Sequence, residues 1–130
     1  MTQVNFSVKA LIIKDDYFLA LHKCNATSDS FDLPGGKMKD NESAEETLRR
    51  EVEEETQLTI KSLKLLDTWQ YVNDYYLIMG VLYVCEVEEG DVVLSSEHDY
   101  YEWLPLDTSS ASKMNDSLTT SISHLNLSAI

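Results

Sequence analysis

Glu51, Glu54 and Glu55 stand at i, i+3 and i+4 in the run Arg50-Glu51-Val52-Glu53-Glu54-Glu55. On a helix, that spacing puts the three carboxylates on one face. Like charges so placed repel one another and weaken the helix, so a counter-charge is expected. A divalent cation is the natural one. A hard ion such as Mg²⁺ takes carboxylate oxygens and usually a substrate phosphate as well. A charge run on a helix is more often a solvated face, and composition alone favours that reading. Two details oppose it. The run follows Gly35-Gly36, where the backbone can adopt conformations closed to other residues. Arg50 also lies inside the run, where bidentate bonds can hold neighbouring carboxylates in a fixed orientation.

The spacing extends upstream as Gly36-x5-Glu42-x7-Arg50-Glu51-Val52-x-Glu54-Glu55-x-Gln57-Leu58. This resembles the Nudix box, Gly-x5-Glu-x7-Arg-Glu-(apolar)-x-Glu-Glu-x-Gly-(apolar), the signature of Nudix hydrolases. Gln57 replaces the second glycine of the signature. That glycine suits a left-handed helix end, so a side chain there costs on the order of 1 kcal/mol or shifts the helix end. Weaker similarity continues in Leu33-Pro34-Gly35-Gly36 before the box and in Glu97 to Trp103 after it.

The resemblance implies an activity and a set of residues. Nudix enzymes hydrolyse the diphosphate bridge of a nucleoside diphosphate linked to another group, using Mg²⁺ or Mn²⁺. It places the main metal ligands at Glu51 and Glu55, with Glu54 close behind and the backbone carbonyl of Gly36 beside them. Glu42 is expected to support the loop or the metal shell. The expected catalytic set is Glu54, Glu97 and Arg50, with Arg50 orienting its neighbours. Glu97 would complete the metal site or serve as general base, and it ranks above His98 in that role. Lys23 and Lys37 are the expected phosphate contacts, although each is more often a solvated surface lysine. Phe31, Trp69, Tyr71 and Tyr75 offer stacking faces for a base, although strand aromatics are usually core. Trp103 reads as a core anchor.

These groups need a scaffold. Val4 to Ile13 reads as a strand, turning at Lys14-Asp15-Asp16 into a returning strand, Tyr17 to Leu21. Residues 22–30 read as a polar loop and Phe31 to Pro34 as extended. Ser43, with Glu46 three residues on, predicts a capping box at the start of the acidic helix. Leu48 and Val52 give that helix an apolar side. Strands are predicted over Thr59 to Tyr71 and Tyr75 to Val87, joined at Asn73-Asp74. A loop over residues 95–100, a short strand over Tyr101 to Leu104 and a last helix, roughly Ser110 to Leu125 and capped by Asp107, complete the pattern. The elements predict an α+β fold with a mixed β-sheet between helices. That agrees with the Nudix-type α/β/α sandwich the resemblance implies.

Composition narrows the partners. The 130 residues suffice for one core, and residues 1–130 read as a single domain. The net charge of −13 argues against nucleic-acid and anionic-membrane surfaces. It would also repel a polyphosphate unless metal ions bridge carboxylate and phosphate. Cys24 and Cys85 imply no disulfide framework. The start, Met-Thr-Gln-Val-Asn, lacks the pattern of a signal peptide, so the cytoplasm is expected.

The expected function is thus a metal-dependent hydrolase of a small nucleotide diphosphate derivative, with a homodimer left open. The alternatives are a catalytically silent Nudix-fold module that binds or senses a nucleotide, and an acidic interaction protein.

Overall fold

The computed structural model describes residues 3–126 and residue 130. Met1 and Thr2, the start of the segment read for a signal peptide, lie outside them. Six strands form one mixed sheet: β1 (Gln3–Lys14), β2 (Tyr17–Lys23), β3 (Gly35–Lys37), β4 (Ile60–Val72), β5 (Tyr76–Val87) and β6 (His98–Pro105). The order is β4-β5-β1-β2-β6, with β3 also pairing β1. β1 and β5 run parallel from Gln3↔Tyr76 to Ile12↔Cys85. The β1–β2, β1–β3, β2–β6 and β4–β5 pairs are antiparallel.

Alternation along β1 sorts the core onto two faces. Val8, Ala10 and Ile12 pack with Leu48 and Val52 of helix α1 (Ala44–Thr56). Leu11 packs on the other side with Leu118 and Ile122 of helix α2 (Asp116–Ser123). The predicted sandwich is therefore present, and no helix among the described residues is long and apolar enough to cross a membrane.

Local chemistry explains the helix ends. Ser43 Oγ accepts from the Glu46 N–H at 3.1 Å, and the Ser43 N–H donates to Glu46 Oε1 at 3.2 Å, so the capping box is closed. At the other end Gln57 is left-handed, with φ 61°. It holds, with a side chain, the conformation that the glycine of the signature would adopt freely.

Three elements differ from the sequence expectation. Gly35–Lys37, where no strand is predicted, forms β3 along β1. β6 begins at His98 because β2 runs on to Lys23 and supplies partners through Lys23↔His98. Residues 98–100, predicted as loop, therefore belong to the strand. The terminal helix is also split. Asp107 caps a short 3₁₀ helix, Thr108–Lys113, by accepting from the Ser109 N–H at 2.8 Å. The chain then extends at Met114 before α2 begins. The break has a backbone cause. The Phe31 N–H donates to the Lys113 carbonyl, and the Phe31 carbonyl accepts from the Asn115 N–H, both at 2.8 Å.

Candidate active site

Helix α1 brings Glu51 and Glu55, beside strand β3, to one cavity of about 1120 Å³. Gly35, at φ 146°, lies against β1 so closely that a Cβ would sit 2.0 Å from the Val8 carbonyl oxygen. That approach aims its N–H at Glu55, whose Oε1 accepts at 2.7 Å. Glu51 lies against the next residue: a Cβ on Gly36 would stand 2.7 Å from the Glu51 Cδ. The Gly-Gly pair thus seats both carboxylates against the strand.

Arg50 orders the rest of the cluster. Its Nε and Nη2 donate to the two oxygens of Glu42 at 2.7 and 2.9 Å. Its Nη1 donates to Glu51 at 3.0 Å and to Glu54 at 3.1 Å. Thr47 also donates to Glu42, at 3.1 Å. The guanidinium fork holds the Glu42 carboxyl down at about 2. Glu42 therefore stays ionised and keeps Arg50 in place. Burial pushes the Glu51 carboxyl up, and Arg50 opposes the shift. Burial pushes Glu55 further, to about 8, against the Gly35 N–H and Lys9, which lower it. A buried carboxylate whose neighbours are mostly acids suits a cation.

Glu97 and His98 reach the same place from the start of β6. One ligand atom from each of Glu55, Glu97 and His98 falls within a 4.8 Å cluster. The His98 ring is buried, which lowers its pKa, and its Nε2 lies 3.7 Å from Glu55 Oε2. The Cys24 N–H donates to the Glu97 carbonyl at 2.8 Å, tying this corner to the end of β2.

Of the residues singled out in the sequence, Gly36, Arg50, Glu51, Glu55, Glu97, Lys23 and Lys37 line this cavity. Glu54, expected beside the ligands, does not line it; the side chain is 57% exposed and bonded to Arg50 on the outer side. Trp69 and Tyr71 line the cavity from β4, at the opposite edge of the sheet from β6, which brings Glu97 and His98. Phe31 is core and Tyr75 is exposed. Trp103 packs beside the α1-side core, as expected. Sequence reasoning omits Lys9, which donates to Asp32 at 3.1 Å and to the Leu33 carbonyl at 3.2 Å while lining the cavity. A lysine between Val8 and Ala10 in an apolar strand is the available signal.

Comparison with known proteins bears on the family and the fold. The NUDIX domain model matches residues 4–123. A Bacillus subtilis (strain 168) protein, YtkD, whose name only proposes an 8-oxo-dGTP diphosphatase, is 36% identical over 72 residues, which are 55% of this chain and 43% of that protein. The chain thus matches less than half the length of that relative. The crystal structure of a MutT protein from Methanosarcina mazei Go1 superposes with a TM-score of 0.81 at 26% identity, covering 93% of this chain and 91% of that one. A MutT NUDIX hydrolase from Burkholderia pseudomallei shares the fold at TM-score 0.82 and 18% identity, covering 95% and 99% of the two chains. The chain belongs to the NUDIX domain family.

Proposed function

We propose that this chain is a divalent-metal-dependent pyrophosphohydrolase acting on a nucleoside diphosphate derivative in the cytoplasm. One observation carries the reading: a single cavity joins an acidic end to an aromatic end. Glu51, Glu55, Glu97 and His98 lie at the first; Trp69, Tyr71, Tyr76 and Ile78 lie at the second. A substrate with a phosphate chain on one side and a base on the other fits that division.

The aromatic end has a built floor. A Cβ on Gly80 would stand 2.0 to 2.4 Å from Cε2, Cζ2 and Cδ2 of Trp69, so the face of the indole lies on Gly80. Trp69 Nε1 is buried without a hydrogen-bond partner among the described residues.

Mg²⁺ or Mn²⁺ fits the acidic end, with Glu51, Glu55 and the Gly36 carbonyl as ligands and Glu54 held outside them by Arg50. A divalent ion bound there supplies neutralisation of phosphate charge and acidification of water. Glu97 takes the proton from the attacking water. Arg50 orients Glu51, and Glu42 fixes Arg50. Lys23 and Lys37, at the cavity wall, contact the phosphates. The name of the Bacillus relative supports 8-oxo-dGTP, and nucleoside triphosphates with it, as the first substrates to test.

The test is a turnover screen over nucleoside triphosphates, 8-oxo-dGTP, nucleotide sugars and dinucleoside polyphosphates with Mg²⁺, Mn²⁺ or a chelator. Metal-dependent cleavage of one class is expected. Protection against melting by a nucleotide with no cleavage of any would replace the hydrolase with a binding module.

A further inference from the structure

His98 takes no part in the chemistry above, yet its ring is placed among the acids. Its side chain is only 6% exposed and lines the cavity. Nδ1 is buried with no partner among the described residues, and Nε2 stops 3.7 Å from Glu55 Oε2. That gap is too long for a hydrogen bond. It falls between the two separations that ligands of one octahedral ion take. With bonds of about 2.1 Å, two ligand atoms are about 3.0 Å apart at right angles and about 4.2 Å apart across the ion. One oxygen of Glu97, the base, joins the pair within a cluster of 4.8 Å, so the ring stands at the reacting end of the cavity.

We propose that His98 is a nitrogen ligand of the metal centre, making it a mixed nitrogen and oxygen site. This rests on the metal-dependent reading of the site. The backbone holds the pair in place: the His98 N–H donates to the Ser95 carbonyl at 3.3 Å and the Glu97 N–H to Ser95 Oγ at 3.3 Å. An imidazole donor favours Mn²⁺ and Co²⁺ over Mg²⁺ relative to an all-oxygen site.

The experiment is pulsed EPR on the Mn²⁺-loaded protein, read for ¹⁴N coupling. Wild type should show directly bound nitrogen, and so should His22→Asn and His124→Asn, which alter the other two histidines. His98→Asn should lose the coupling. By calorimetry it should bind Co²⁺ about 10- to 100-fold more weakly, with Mg²⁺ affinity changed less than about threefold. Mn²⁺ bound to wild type with oxygen ligands alone overturns the assignment and leaves the hydrolase reading standing. Failure of wild type to bind Mn²⁺ at millimolar concentration overturns both. The wild-type spectrum decides the question even if His98→Asn does not fold.

Discussion

Gly80→Ala tests the floor of the aromatic end. The added Cβ would lie 2.0 Å from Trp69 Cε2. Carbon atoms in contact settle at about 3.5–4.0 Å, so the ring must retreat by about 1.5 Å or more. Gly80 and Trp69 are paired across β4 and β5, and both belong to the sheet. The backbone cannot absorb the shift without disturbing that register, so the indole moves into the cavity. Overpacking of this kind costs about 1–3 kcal/mol, or about 4 °C of melting temperature per kcal/mol in a chain of this size. Stacking on an aromatic side chain contributes about 1–3 kcal/mol per base. Loss of about 1.4 kcal/mol of it raises KM about tenfold. The acidic end is untouched, so kcat should stay within about threefold. The assays are a thermal melt and steady-state kinetics with the best substrate from the screen. Wild-type values of both melting temperature and KM would refute the packing argument. A lower melting temperature with unchanged KM would remove Trp69 from the substrate site.

Other expectations follow from the same geometry. Metal-free protein should lose stability as pH rises from 6.5 to about 8, because burial raises Glu55 from 4.5 to about 8 and the folded state holds its proton through that window. Below 6.5 the depressed His98 works in the opposite direction, and His22, raised by Asp99, adds a decline of the same sign above it. The decisive quantity is the difference in urea midpoint between wild type and Glu55→Gln in EDTA; parallel pH profiles would refute the assignment. Gln57→Gly should change stability by no more than about 1 kcal/mol, since relief of left-handed strain opposes the entropy of an added glycine. A larger loss in a melt would show that the helix end depends on the Gln57 side chain. Glu97→Gln should lower kcat far more than it raises KM and flatten the acid limb of the pH–rate profile. Unchanged profiles would remove it as the base.

The central helix is legible in the sequence because its signals are local. Ser43 and Glu46 close over one turn, and Glu51, Glu54 and Glu55 follow helical spacing. The strands are legible from apolar runs bounded by Asp15 and Asn73. The split of the terminal helix is not. Its break depends on Phe31, far away in the chain, taking the backbone of Lys113 and Asn115. The start of β6 is hidden because it depends on how far β2 runs beside it. The same limit applies to the site. Spacing puts Glu51 and Glu55 on one helix face, but the contact of Glu55 with the Gly35 N–H, the nearness of His98 and the place of Lys9 all arise from the sheet. Glu54 shares the helical spacing and still lies outside the cavity, exposed and bonded to Arg50.

The metal assignment is tested most directly by single-turnover cleavage of a nucleoside triphosphate by wild type, Glu51→Gln and Glu55→Gln at saturating Mg²⁺ and Mn²⁺. Each change removes a ligand charge and keeps the side-chain shape. A loss of at least about 10²-fold in rate is predicted for each variant, with both still folded. Near-wild-type cleavage by either variant would contradict the assignment.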